Sequence, residues 1–323
     1  MDWLLRMSLK FSWPGRPDGW TSIDSQGGIF CVSLKLPHKL GDRPIVVKNA
    51  ALPGATLTHA NLLKMGKLIG DQGYPVVAIL NSADYQIFLL DKAAVKAEEI
   101  ESSLRWSLSP LLDYPAMEAN LSWLAIPKTQ SRSNTTTQLH VIAARSEMIN
   151  QRMDLFEHAR MPAQIIDIRE TAQRNISAAI QDQDAAVCLI YADSFGVRLT
   201  VSYKGELYLA RTIHESLFDA KEESVTDSIE HKFDRVALEV QRSIDFVRRN
   251  YASMAFDGVY VAPTQININF QVQLESRLST EIKTLDMSSI FEWPADSDLV
   301  KPEVQSMYFN ALGAAMRMKE SLS

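Results

Sequence analysis

Two short segments of the chain combine an aspartate, a serine and a glycine at the same spacing, Asp24–Gly27 and Asp193–Gly196. Each is followed at the same offset by Val-Ser, within a run that alternates in polarity. Carboxylate oxygens are ligands for divalent cations, and glycine lets the main chain approach a ligand closely. The repeat predicts a strand, a turn and a strand in each copy, with the two turns lining a cleft between similar domains. The alternative is that a common turn sequence occurs twice by chance.

Other residue patterns with recognisable chemistry are not found in the sequence. The six histidines show no pair at i and i+4 and no neighbouring cysteine, so a zinc site is not expected. The chain also lacks the G-x-S-x-G, P-loop and G-x-G-x-x-G motifs, which argues against a hydrolase, a P-loop nucleotide site and a Rossmann site. We therefore predict no metal site and no catalytic residue.

The composition is that of a globular protein with two domains. The 323 residues are 46% hydrophobic and 22% charged, with a net charge of −6 and a pI near 5.6. Such an acidic chain is not expected to bind nucleic acid, because phosphate binding needs a basic surface. Cys31 and Cys188 lie in predicted buried strands, as expected in a reducing compartment, and no run of about 20 apolar residues predicts a membrane span. We expect a soluble, cytoplasmic protein.

Residues 1–17 are a predicted N-terminal amphipathic segment. From Trp3 to Trp13 every odd position is apolar, and residues 6, 8, 10 and 12 between them are polar. This period of two predicts a half-buried strand. The alternative is a peripheral contact of residues 1–13 with a membrane surface, because the tryptophans lie beside basic side chains.

Strand and helix patterns alternate along most of the chain, which predicts a mixed α/β (α+β) protein. Pro75–Leu80 and Tyr85–Leu90 are predicted to pair with each other as a hairpin across Asn81–Asp84. The polar run 128–137 is predicted to be a loop. The two duplicated hairpins are predicted at residues 20–36 and 186–212. The main helices are predicted at residues 58–71, 94–109, 146–159, 228–251 and 308–318.

Five motifs that are individually weak follow one another along the chain. They are Gly19–Asp24, residues 139–168 with their strand–helix–strand pattern, Asp193–Arg211, the Glu-x-x-Arg-Ser helix in Leu238–Phe246, and the Ala-x-Gly-x-Ala-x-Arg helix Ala311–Arg317. In this order they resemble the PilM family, type IV pilus assembly proteins of the actin-like ATPase superfamily. Leu104–Leu108 and Leu112–Pro115 are most similar to the MshI branch of that family, which belongs to MSHA (mannose-sensitive haemagglutinin) pilus biogenesis.

The resemblance implies the actin-like ATPase fold, in which two duplicated ribonuclease H-like domains carry a small inserted subdomain. It places the first domain at residues 18–92 and 164–185, the inserted subdomain at 93–163 and the second domain at 186–323. In this superfamily the two turns hold the phosphates and Mg²⁺ of ATP. The corresponding residues here are Asp24, Ser25, Gly27, Gly28, Asp193, Ser194 and Gly196.

The chain departs from that pattern at three places. Gln26 and Phe195 stand where a glycine is expected in each turn, and Ala262–Thr264 stands where a Gly-Gly pair leaves room for adenine and ribose. All three changes remove space or N–H donors, and Pro263 has no N–H at all. We expect a degenerate nucleotide site without a cofactor. The alternative is a one-residue shift in which Gly27 and Gly196 hold phosphate, with ATP and Mg²⁺ bound, with or without turnover.

The resemblance also implies a protein partner, the cytoplasmic tail of a PilN-like inner-membrane protein, bound as an extended peptide beside the inserted subdomain. The groove is expected to contain Trp106, Leu112, Tyr114, Leu121 and Trp123. The expected function is that of a scaffold in an MSHA-type pilus assembly platform, cytoplasmic and peripheral to the inner membrane. The alternatives are an ATP-driven enzyme of the sugar kinase or chaperone type and the cytoplasmic half of a type II secretion platform protein.

Overall fold

The computed structural model describes residues 18–37, 39, 42–128, 137–181, 184–215, 217, 229–266, 269–295 and 297–317. The predicted segment 1–17 and most of the predicted loop 128–137 lie outside these ranges. The strands are β1 (Gly19–Asp24), β2 (Gly28–Lys35), β3 (Ile45–Pro53), β4 (Val76–Ile79), β5 (Tyr85–Asp91), β6 (Ala119–Ala125), β7 (Gln138–Arg145), β8 (Ala163–Asp167), β9 (Ala185–Asp193), β10 (Gly196–Tyr203), β11 (Glu206–Ile213), β12 (Ala255–Val261) and β13 (Ile282–Thr284). The α-helices are α1 (His59–Ile69), α2 (Ile100–Leu108), α3 (Ser146–His158), α4 (Arg169–Ile180), α5 (Ile229–Asn250), α6 (Phe270–Glu275) and α7 (Pro302–Ala315).

The helices follow local sequence signals. α1 begins after Thr58, whose side chain accepts a hydrogen bond from the Asn61 N–H at 3.3 Å, and it is followed by Gly70 at a positive φ of 71°. α5 has an apolar residue every three or four positions, and this stripe is buried against the core: Phe233, Val236, Val240, Ile244 and Val247. The helices predicted at 58–71 and 228–251 are therefore confirmed.

Two five-stranded sheets have the same topology. Their strand orders are β3-β2-β1-β4-β8 and β11-β10-β9-β12-β13. In each sheet the first three strands pair antiparallel and the last two join in parallel. The predicted duplication and the mixed α/β class are confirmed, because β1 and β9 hold equivalent positions, as do β2 and β10.

The helices α4 and α7 form the layer between the two sheets. Each follows the last strand of one sheet and packs on the other: α4 on β9, β10 and β11, and α7 on β1, β2 and β4. The two helices cross at Gly313, where an added Cβ would lie 2.2 Å from the carbonyl oxygen of Ala172. The Asn175 side chain donates a hydrogen bond to the Gly313 carbonyl at 2.9 Å. The close crossing gives a physical reason for the glycine of the Ala311–Arg317 motif.

The prediction that β4 and β5 form a hairpin is wrong. β4 lies inside the first sheet, parallel to β1 and β8, and all four of its residues are buried. β5 pairs antiparallel with β7 in a separate three-stranded sheet of order β5-β7-β6. A continuous apolar run is typical of a strand covered on both faces, as in β4, whereas in β5 only Tyr85 is buried and the other residues are half-buried or exposed.

The three-stranded sheet also contacts the second half of the molecule. Ile126, which follows β6, packs into the core around β9, β10 and α5. His140 of β7 is 4% exposed, and it faces the backbone of Tyr208 in β11. Across the described part of the chain, no helix combines the length and apolar character needed to cross a bilayer.

Candidate functional site

The turns β1–β2 and β9–β10 meet at the end of the two sheets. An added Cβ on Gly27 would lie 3.5 Å from the ring of Phe195, so the two turns are in contact. Between them is a cleft of about 200 Å³, and the residues that line it include Asp24, Gly27, Asp193 and Ser194. The structure thus brings together four of the seven residues predicted for the duplicated turns.

The other three predicted turn residues do not line the cleft. Ser25 donates a hydrogen bond to the Asn81 side chain at 3.0 Å, and Gly28 is buried at the start of β2. Gly196 is buried in β10, and an added Cβ would lie 2.5 Å from the carbonyl oxygen of Ile213. A glycine at position 196 is therefore explained by its contact with β11. The shifted alternative, with Gly196 at the phosphate, receives no support from this geometry.

The two turns have the same local hydrogen bond. Oδ1 of Asp24 accepts from the Gln26 N–H at 3.1 Å, and Oδ1 of Asp193 accepts from the Phe195 N–H at 2.8 Å. This arrangement, in which an aspartate caps the N–H two residues later, is an Asx turn. Gln26 and Phe195 therefore hold equivalent positions, as the sequence repeat predicts.

The side chains at these equivalent positions have different surroundings. Oε1 of Gln26 accepts hydrogen bonds from the backbone N–H and the hydroxyl of Ser82, at 2.8 and 3.0 Å. Phe195 is 50% exposed and lies against the first turn. The first side chain is thus tied to the β4–β5 connection, and the second covers the space between the turns.

The carboxylate of Asp24 is buried and fully hydrogen-bonded. Arg169, the first residue of α4, contacts both oxygens, with Nη1 at 3.1 Å from Oδ2 and Nη2 on Oδ1. Asn310 of α7 donates to Oδ2 at 3.1 Å. The aspartate of the first turn is therefore bound by a cation and an amide from the two central helices.

Arg169 and Asn310 were not among the residues predicted from the sequence. They are separated from Asp24 by 145 and 286 residues. The strand–helix boundary after Asp167 was predicted, but a charged residue at the start of a polar helix usually lies on the surface. No local pattern distinguishes Arg169 from such a surface residue.

The five residues predicted for the peptide groove lie on α2, on β6 and on the segment between them. Leu121 is buried in the apolar cluster that joins α2 to the three-stranded sheet, and Leu112, Tyr114 and Trp123 pack partly buried against that cluster. Trp106 of α2 is 83% exposed. The Arg145 guanidinium lies 4.1 Å from the ring centroid of Tyr114, which is a cation–π contact.

Comparison with known proteins identifies a match over part of the chain. Residues 70–212 match the family model described as type IV pilus assembly protein PilM, and no curated protein matches. Among solved structures, the PilM-PilN type IV pilus biogenesis complex superposes with a TM-score of 0.72 at 15% identity, over 95% of this chain and 99% of that chain.

Two further solved structures are similar at lower scores. The cytoplasmic domain of EpsL, an inner membrane component of the type II secretion system of Vibrio cholerae, has a TM-score of 0.48 at 9% identity, over 90% of this chain and 94% of that chain. A protein of unknown function from Bacteroides thetaiotaomicron has a TM-score of 0.47 at 9% identity, over 93% of this chain and 98% of that chain, and is described as having an actin-like ATPase fold. The chain therefore shares the fold of the solved PilM-PilN complex structure, and its residues 70–212 are similar to the type IV pilus assembly protein PilM.

Proposed function

We propose that this chain is a scaffold of an MSHA-type type IV pilus assembly platform and that it binds the cytoplasmic tail of a PilN-like inner-membrane protein. The observation that carries the proposal is Trp106, a tryptophan that is 83% exposed within the range matching the PilM family. Met117, eleven positions further along, is 81% exposed. Exposed apolar side chains of this size are typical of a protein interface, and tryptophan is among its commonest anchors.

The other four groove residues have a supporting role in this proposal. Leu112, Tyr114 and Trp123 cover one side of the cluster in which Leu121 is buried, so they offer a firm apolar floor. A partner peptide would place an apolar side chain against Trp106. Residues 1–13 are proposed to contact the surface of the inner membrane, which would make the protein cytoplasmic and peripheral.

We further propose that the cleft between the turns is a degenerate nucleotide site, and the residues present do not fit Mg²⁺ and ATP. All four hydrogen bonds of the Asp24 carboxylate are taken up within the protein. The cleft of about 200 Å³ is smaller than typical ligand pockets, which start at roughly 300 Å³. Phe195 lines this cleft beside Gly27, where a bulky ring replaces the expected glycine, and Pro263 offers no N–H after β12.

Binding of the partner tail is tested by fluorescence titration with a synthetic peptide of the N-terminal tail of the PilN-like protein. We expect saturable binding, and we expect Trp106→Ala to weaken it at least about tenfold, because truncating a central tryptophan commonly costs more than 2 kcal/mol. The thermal midpoint of the variant should stay close to that of the parent, since the side chain is exposed. Leu238→Ala, which truncates a 50% exposed residue of α5, is the matched control. Absence of saturable binding, or an equal loss in the control, contradicts the proposal.

The proposal that the cleft is a degenerate nucleotide site is tested by equilibrium dialysis of the full chain with labelled ATP and Mg²⁺. We expect no stoichiometric binding, because the Asp24 carboxylate is fully hydrogen-bonded within the protein and the cleft is small. One nucleotide bound per chain with a micromolar Kd would instead favour a working actin-like ATPase or kinase.

A further inference from the structure

The cleft between the turns contains a buried cation of its own, the guanidinium of Arg169. The residue is 1% exposed, and its partner Asp24 is 2% exposed. Arg169 is also the first residue of α4, where the helix macrodipole disfavours a positive charge. The position of this cation therefore depends on the carboxylates around it.

Asp24 has no coordination position left for a metal ion. Its Oδ1 accepts from Arg169 Nη2 and from the Gln26 N–H, and its Oδ2 accepts from Arg169 Nη1 and from Asn310 Nδ2, the last three bonds each measuring 3.1 Å. An ionised carboxylate offers about four lone-pair directions. A divalent cation would have to displace one of these donors.

Both aspartates of the duplicated turns act on the same guanidinium. Burial opposes the charge on Arg169, but the Asp24 carboxylate, with smaller contributions from Tyr85 and Asp193, outweighs it and raises the pKa of the guanidinium. Asp193 lines the same cleft from the second turn. Arg169 thus lines the same cleft as the aspartates of both turns and is hydrogen-bonded to the first of them.

The network continues from this cation into the rest of the molecule. Oδ1 of Asn310, in α7, accepts from Arg198 of β10 at 3.0 Å. Arg198 lies 3.4 Å from the Glu170 carboxylate, and the Tyr85 hydroxyl donates to Glu170 at 2.7 Å. Residues of the first sheet, both central helices, the second sheet and the small sheet are therefore joined through buried polar contacts.

We propose that Arg169 is the resident cation of the cleft and takes the place of a divalent metal between the duplicated aspartates. The two five-stranded halves are then held together by the protein alone, without a bound ligand. This inference rests on the proposal that the cleft is a degenerate nucleotide site. It does not depend on the proposal that the chain binds a PilN-like tail.

The test uses Mn²⁺ alone as the probe, with manganese binding followed by electron paramagnetic resonance and stability by the thermal midpoint of the full chain. The parent protein should leave free Mn²⁺ undiminished and its midpoint unchanged. Arg169→Gln should lower the midpoint by about 10 °C, because it leaves a buried carboxylate without its cation. In this variant Mn²⁺ should bind and restore part of the loss.

The control is Arg211→Gln, which breaks an ion pair with Glu239. Arg211 is 34% exposed in that pair, so the variant should change the midpoint by no more than about 2 °C.

A second variant keeps the inference testable if Arg169→Gln does not fold. Asp24→Asn combined with Arg169→Gln removes both charges, and it should recover most of the lost midpoint and bind no Mn²⁺. A double variant that also fails to fold overturns the inference, since removal of the unpaired carboxylate has then restored nothing. The inference is also overturned if the parent protein binds one Mn²⁺ through Asp24, or if the Arg169→Gln variant is as stable as the parent. None of these outcomes involves the partner peptide, so they are distinct from the result of the titration.

Discussion

Replacing Gly313 with alanine is expected to lower the free energy of unfolding by about 3 kcal/mol. The new Cβ would lie 2.2 Å from the carbonyl oxygen and 2.7 Å from the carbonyl carbon of Ala172, both of which are backbone atoms of α4. Backbone inside a helix has little freedom to move, so α4 and α7 must separate. The expected gain in helix propensity, about 1 kcal/mol, is smaller than this cost. Urea denaturation followed by circular dichroism measures the difference.

The matched control for this prediction is Gly66→Ala in α1. Gly66 is also inside a helix, but there an added Cβ meets the thioether of Met161 at 3.1 Å, the flexible end of a side chain. The same substitution should therefore leave stability unchanged or raise it by up to about 1 kcal/mol. If Gly313→Ala unfolds at the same urea concentration as the parent, the close crossing of α4 and α7 is wrong.

The crossing also indicates which part of the fold could be predicted from local sequence. The stripe of α5 and the two aspartate turns depend on residues within a few positions of one another, and both were predicted correctly. A glycine is required at position 313 because of a contact with another helix, α4. The sequence alone therefore showed the motif but not this contact. A motif of this kind indicates that a constraint exists without identifying the neighbour that imposes it.

Strand partners were harder to predict for the same reason. The runs now known as β4 and β5 were correctly assigned as strands, but they pair with β1, β8 and β7, which are distant along the chain. Short spacing favoured a hairpin, whereas burial of β4 on both faces decided the pairing. Among the strands of the described residues, β3, β6 and β13 were not predicted. β3 lacks a clear alternation and β13 has only three residues, whereas β6 does alternate over Ala119–Trp123 and was missed.

The candidate site was predicted only in part because α4 contradicts the usual relation between polarity and exposure. Arg169, Glu170 and Gln173 are polar, and together they suggest a surface helix, yet each is at most 4% exposed. Their partners lie on other elements, such as the Leu189 carbonyl that accepts from Gln173 at 2.6 Å. Buried polar side chains of this kind can be identified only from the three-dimensional structure, because their hydrogen-bond partners lie on other elements.

A second large effect is expected at the contact between the small sheet and β11. Burial lowers the pKa of His140 from the ordinary 6.5 to about 4, and a hydrogen bond with the Tyr208 backbone opposes this shift only in part. Its Nε2 is buried and has no hydrogen-bond partner among the described residues. The folded protein therefore holds this histidine neutral, while the unfolded chain takes up a proton near pH 6.5.

The sign of the resulting pH dependence follows from which state binds the proton. Because the unfolded chain binds it first, the stabilisation is complete above pH 6.5 and is lost as the pH falls towards 4. A shift of this size corresponds to a loss of about 3 kcal/mol in the free energy of unfolding. Carboxylates contribute in the lower part of the same range, so the comparison must be made between variants.

His140→Gln keeps a hydrogen-bonding side chain but does not titrate, and it should reduce the loss of stability between pH 6.5 and pH 4 by about 3 kcal/mol relative to the parent. His59→Gln replaces an exposed histidine of α1 and should retain the slope of the parent. Urea denaturation of the three proteins at several pH values measures these slopes. Equal slopes for the parent and His140→Gln would mean that the histidine is not buried between the small sheet and β11 in solution.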